Sequence, residues 1–87
     1  MEIIVSDRFY KDIDKTEKNI RGRISKVIAA IEKSDDIRLL SGIKKLAGHS
    51  NAYRIRIGDY RLGFFIVNKT VHLARFMNRK DIYTVFP

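Results

Sequence analysis

The apolar positions change rhythm along this chain. Residues 2 to 5, Glu2-Ile3-Ile4-Val5, form a short β-branched run that reads as a strand, and Ser6-Asp7 behind it offers a helix N-cap. A first helix is predicted from about Asp7 to Lys15. Thr16 is placed to cap a second, although Asn19 stands where a capping box would want Glu. In that second helix Ile20, Ile24, Val27, Ile28 and Ile31 recur at spacings of three and four and make one apolar face, with Lys18, Arg21, Lys26 and Lys33 elsewhere around it. Such a helix covers a core. Gly22 weakens it by about 1 kcal/mol relative to alanine, an amount that tertiary packing absorbs.

From Ser34 to Asn51 turn residues surround "IRLL" and "IKKLAG", and a connection with one helical turn is predicted. Strict alternation then takes over. Strands are predicted at about 52 to 57, 60 to 67 and 71 to 77, joined by Gly58-Asp59 and by Asn68-Lys69-Thr70, and loops this short require antiparallel pairing. The pattern amounts to a single α+β domain over residues 1 to 87, with two N-terminal helices packed on one face of a small, strongly twisted antiparallel β-sheet.

The turn fixes a register. If Gly58 and Asp59 are the loop, Ile57 faces Tyr60, Arg56 faces Arg61, Ile55 faces Leu62 and Arg54 faces Gly63. Tyr53, Ile55, Ile57, Tyr60, Leu62 and Phe64 then share the core face, and Arg54, Arg56 and Arg61 share the other. Like charges opposed across strands are destabilising. Gly63 is expected to leave a hollow beside Arg54.

Charge sharpens this picture. The formal net charge is +8, yet residues 1 to 37 hold eight Lys/Arg against eight Asp/Glu, while residues 38 to 87 hold ten against only Asp59 and Asp81. All of the excess lies in the second half, which points to a polyanionic partner. The chain has no cysteine, which excludes disulfides and thiolate metal sites. No secretory leader or membrane-spanning apolar run is evident, so a cytoplasmic location and no membrane partner are expected. A single arginine on an outer strand face reads as solvated. Three together, in a half-chain nearly free of acids, read as a phosphate site, because guanidinium groups grip phosphate through planar, bidentate, charge-assisted hydrogen bonds. The same donors would stabilise the extra charge of a phosphorane-like transition state.

The order of "KKLAG" (44 to 48), "YRIRIGDYRLGFF" (53 to 65) and "NRKDIY" (78 to 83) resembles the RelE/ParE superfamily of type II toxins, on its RelE side. The resemblance spans the chain and implies a RelE-like, microbial-ribonuclease-like fold. It implies a ribosome-dependent messenger RNA endonuclease that uses no metal or other cofactor and is neutralised by a cognate antitoxin, acidic and partly disordered, that wraps it. By position, Arg54, Arg56, Arg61, Arg79 and Tyr83 match the family's catalytic residues, with Arg61 on the scissile phosphate and Tyr83 against a base. Lys44, Lys45 and Lys80 are candidate RNA or phosphate contacts. Where related chains often have His, this one has Asn78, which leaves proton transfer to arginine, lysine or tyrosine.

Neither histidine replaces it: His72 alternates within a strand, and His49 sits in the turn ahead of the hairpin. Phe65 and Phe76 could stack bases, although at strand spacing they read as core; Asp81 is expected to pair with Arg79 or Lys80. Two other readings stay open. The ParE branch poisons DNA gyrase, and a basic module could bind RNA without cutting it, since phosphate binding and phosphate cleavage use the same donors.

Overall fold

Local signals start the first elements. Ser6 accepts a hydrogen bond from the Phe9 backbone N–H at 3.1 Å and caps α1 (Asp7–Asp14), behind strand β1 (Glu2–Val5). Thr16 does not cap the next helix. Its hydroxyl donates to the Asp12 carbonyl at 2.9 Å, closing α1, and Glu17 precedes α2 (Lys18–Lys33) without a side-chain cap. A single 3₁₀ turn (Ile37–Leu39) and a short strand, β2 (Ile43–Lys45), occupy the connection, followed by β3 (Ala52–Ile57), β4 (Tyr60–Val67), β5 (Thr70–Asn78) and a third helix, α3 (Arg79–Val85). The computed structural model describes residues 1–87.

One five-stranded sheet runs β1-β5-β4-β3-β2. Strands β2 to β5 are antiparallel neighbours, and β3 pairs with β4 in the register that the Gly58-Asp59 turn dictates, from Ile57 with Tyr60 to Ala52 with Phe65. Gly58 takes φ +59° at the first loop position, as the right-handed twist of a tight hairpin demands. The sheet is nevertheless mixed, because β1 lies parallel to β5. The short-loop argument for antiparallel pairing does not reach β1, which is joined to β5 through the whole intervening chain.

The two faces have different fates. On the inner face, Phe9 of α1 and Ile24 and Ile31 of α2 meet Ile55, Ile57, Leu62, Phe64, Val71, Leu73 and Phe76 in the main core. Tyr60 is partly buried against it, its ring stacked on Phe76 at 5.2 Å. An ion pair anchors α1 to β5: Arg75 Nε lies 2.8 Å from Asp12 Oδ2, which also accepts from the Phe76 backbone N–H at 2.9 Å. On the outer face, α3 covers one end of the sheet. Ile82 and the following Phe86 pack against Leu46 and Ala52, with Phe65, Ala74 and Met77 around them.

Candidate phosphate-binding cleft

The other end of the outer face belongs to the arginines. Arg56 stands opposite Arg61, Arg54 opposite Gly63, and Lys44 of β2 opposite Arg54. Docking of α3 brings Tyr83 to the margin of this row, where its ring lies 4.5 Å from the guanidinium carbon of Arg54. With Gly42 and Ile43, these residues line a cleft of about 310 Å³. Arg61 Nη1 donates to the carbonyls of Gly58 at 3.0 Å and Tyr60 at 2.9 Å, which orients the guanidinium on the hairpin. Its Nε and Nη2 have no acceptor within the protein.

Counter-ions are placed elsewhere. The chain's ion pairs are Arg38 with Asp36 and Arg75 with Asp12, so no carboxylate forms an ion pair with Arg54, Arg56, Arg61 or Arg79. The hydrogen bond to Asp12 raises the Arg75 pKa above the ordinary arginine value, and this arginine serves the fold. The arginines of the cleft have no such partner.

The structure gathers the predicted residues selectively. Arg54, Arg56, Arg61, Lys44 and Tyr83 share the cleft. Arg79 does not: at the start of α3, its backbone N–H donates to the Asp59 carbonyl at 2.9 Å, and its side chain lines a neighbouring hollow. Lys45 stands opposite Tyr53, so strand alternation turns it away from Lys44. Lys80 is exposed and lines neither space. Asp81 pairs with neither Arg79 nor Lys80. Asn78 has a structural role instead: its side chain accepts from the Lys80 N–H at 3.0 Å and caps α3. His49 and His72 lie outside both spaces.

The aromatic residues agree with one expectation, that Phe65 and Phe76 are core, and correct another. Phe76 is buried in the main core, and Phe65 packs under α3 against Phe86 with ring centroids 5.1 Å apart. Neither offers a platform for a base. The hollow expected at Gly63 is filled by the Phe86 ring, which a Cβ at Gly63 would approach to 2.7 Å.

One residue escaped the sequence reading. Arg23, on the polar side of α2, reaches the hairpin turn, where its Nη1 would lie 2.9 Å from a Cβ at Gly58. It lines the neighbouring hollow of about 480 Å³ with Arg56, Arg61 and Arg79. The apolar stripe gives α2 its inward face, and no local pattern says which flanking cation leans toward a turn 35 residues away.

Fold and cleft together define a small α+β protein whose outer sheet face carries a row of guanidinium groups beside Tyr83. No family model matches the sequence. It is 36% identical over 88 residues to Toxin RelE3 of Methanocaldococcus jannaschii, a match that spans 100% of both chains. The solved RelB-RelE antitoxin-toxin complex from Methanococcus jannaschii aligns with a TM-score of 0.84 at 36% identity, over 97% of this chain and 99% of that one. The archaeal RelE-RelB complex from Pyrococcus horikoshii shares the fold, with a TM-score of 0.74 at 21% identity over 90% and 93% of the two chains. The chain belongs to the RelE family of toxins.

Proposed function

We propose that this protein is the toxin of a type II toxin-antitoxin system and acts in the cytoplasm as a ribosome-dependent endoribonuclease on messenger RNA. The observation that carries this reading is the cleft itself, in which Arg54, Arg56 and Arg61 lie beside Lys44 and Tyr83 with no carboxylate counter-ion. RNA brings its own nucleophile. The 2′-oxygen attacks the adjacent phosphorus, the P–O5′ bond breaks, and the products are a 2′,3′-cyclic phosphate and a 5′-hydroxyl. In this scheme Arg61 and Arg56 hold the non-bridging oxygens and balance the charge of the pentacoordinate state. Tyr83 stacks on a base while Arg54 supports its ring. Lys44 and the Tyr83 hydroxyl are the titratable groups of the cleft other than guanidinium, so they are the candidates to move the proton from O2′ and deliver one to O5′. Cleavage without a poised histidine is slow, and the ribosome supplies the in-line geometry that the toxin lacks.

A cognate antitoxin fits the same surface. An acidic segment would neutralise the arginine row, and apolar side chains would find the hollow of about 400 Å³ lined by Val27, Ala30, Leu40 and Ile55, near Leu39, which is 84% exposed. Related structures hold RelE with RelB, which supports this partner.

Primer-extension mapping of a message in a reconstituted translation mixture tests the proposal, using wild type, Arg61→Ala and Tyr83→Ala with and without ribosomes. Cuts that require ribosomes and fall at least roughly a hundredfold with Arg61→Ala are expected. An intact message with wild-type protein refutes the nuclease and sends attention to gyrase supercoiling or to RNA binding alone.

A further inference from the structure

The hollow beside the cleft is not explained by gripping one phosphate. It is lined by Arg23, Arg56, Arg61 and Arg79, with the Asp59 carboxylate as the sole acid among its lining residues. Four guanidinium groups against one carboxylate leave a net charge of +3 (4 − 1) around about 480 Å³. Nothing in the fold requires this convergence. Arg23 is exposed, its side chain makes no hydrogen bond or ion pair within the protein, and it would be free to extend into solvent, away from Arg56 and Arg61. Instead its guanidinium lies over the hairpin turn, at a place where the absence of a Gly58 side chain admits it. Arg79 is brought to the same place by the bond from its backbone N–H to the Asp59 carbonyl.

The two spaces share Arg56, Arg61 and Gly42. Tyr83 and Arg54 stand on one side of that shared wall, Arg23 and Arg79 on the other. We propose that the second hollow is a subsite for the phosphate next to the scissile one, so that a single RNA strand lies astride the Arg56–Arg61 pair with Arg23 gripping its second phosphate. This inference rests on the reading that the cleft takes RNA. It gives α2 a part in binding, and it moves Arg79 from the cleaved bond to its neighbour. Arg56 and Arg61, facing each other, would each contact both phosphates.

Binding of an uncleavable 2′-O-methyl RNA oligonucleotide, followed as a function of salt, separates the possibilities without any need for catalysis. Each phosphate neutralised on a single strand contributes about 0.7 to the slope of log affinity against log salt. Arg23→Gln is therefore expected to reduce the slope by about 0.7 and weaken binding roughly tenfold at low salt. Arg23→Lys is expected to keep the slope but lose affinity, because an ammonium cannot reproduce the bidentate contact. Lys26→Gln, on the same helix but outside both spaces, is expected to change neither. A full slope with Arg23→Gln alongside a reduced slope with Arg61→Ala overturns the second subsite and leaves the first. Equal losses with Arg23→Gln and Lys26→Gln overturn it too, since they would reflect only the general charge of α2. If neither Arg23→Gln nor Arg61→Ala alters RNA binding, the cleft is not an RNA site and both readings fall.

Discussion

Replacing Gly63 with alanine places a methyl group where the Phe86 ring now lies, 2.7 to 2.9 Å from three of its carbons. An aromatic ring that is 6% exposed and wedged among Leu46, Ala52 and Ile82 cannot yield by rotating a terminal bond. It must lift, and α3 with it. Overpacking of this kind costs about 1 to 3 kcal/mol. The sign should reverse once the ring is gone: in a Phe86→Ala background, alanine at 63 recovers the roughly 0.5 to 1 kcal/mol by which glycine weakens a strand. The difference between the two backgrounds is a coupling of about 1.5 to 4 kcal/mol, large for a pair of residues 23 apart in sequence. Urea unfolding followed by circular dichroism for wild type, Gly63→Ala, Phe86→Ala and the double variant measures it. Additive effects within a few tenths of a kcal/mol would refute the claim that Gly63 exists to seat Phe86. The same cycle, read through RNA cleavage, reports whether Tyr83 is held in place by that seat.

Three further outcomes are expected. Arg56→Thr should raise stability by up to about 1 kcal/mol at low salt by relieving the repulsion from Arg61, and the gain should shrink toward 1 M salt, as melting curves at both ionic strengths would show. Asp12→Ala should cost about 3 kcal/mol in urea unfolding, because it strands Arg75, whose side chain is 21% exposed, and the Phe76 N–H together. The Asp36 carboxyl is held below its ordinary value of 3.8 by hydrogen bonds from the Arg38 side chain and backbone N–H, so its contribution is present above 3.8 and fades as pH falls through the lower folded value. A carbon-detected titration of Asp36 with a midpoint at or above 3.8 would contradict this.

The hairpin was legible because two signals agreed on it. The Gly58-Asp59 turn and the alternation on either side of it admit one register, and each pair from Arg54 with Gly63 to Ile57 with Tyr60 is realised. Strand β2 was not legible, since three residues carry no usable period. Helix α3, seven residues long, completes barely two turns and shows little periodicity, although Asn78 followed by Asp81 at the third helical position is an N-terminal signature. The occupant of the Gly63 hollow depends on that unseen helix. Lys45 was grouped with Lys44 by adjacency in sequence, whereas membership of a strand separates them. Arg23 marks a different limit: an amphipathic pattern specifies which face of α2 is buried, but not what its polar flank meets across the fold.

The parallel pairing of β1 with β5 sets an order of assembly. Residue 2 finds its partner at residue 70, whereas β3 and β4 meet across two residues. Loop closure makes the hairpin the cheap early step and the β1 edge the late one. The repulsion between Arg56 and Arg61 therefore falls on the part of the chain that nucleates most readily. Neutralising Arg56 should steepen the approach to the native state, visible as a faster refolding arm in a urea chevron with little change in unfolding. On this view the toxin carries its binding charge at the cost of folding speed, and an anion that neutralises the arginines during refolding should restore the lost rate.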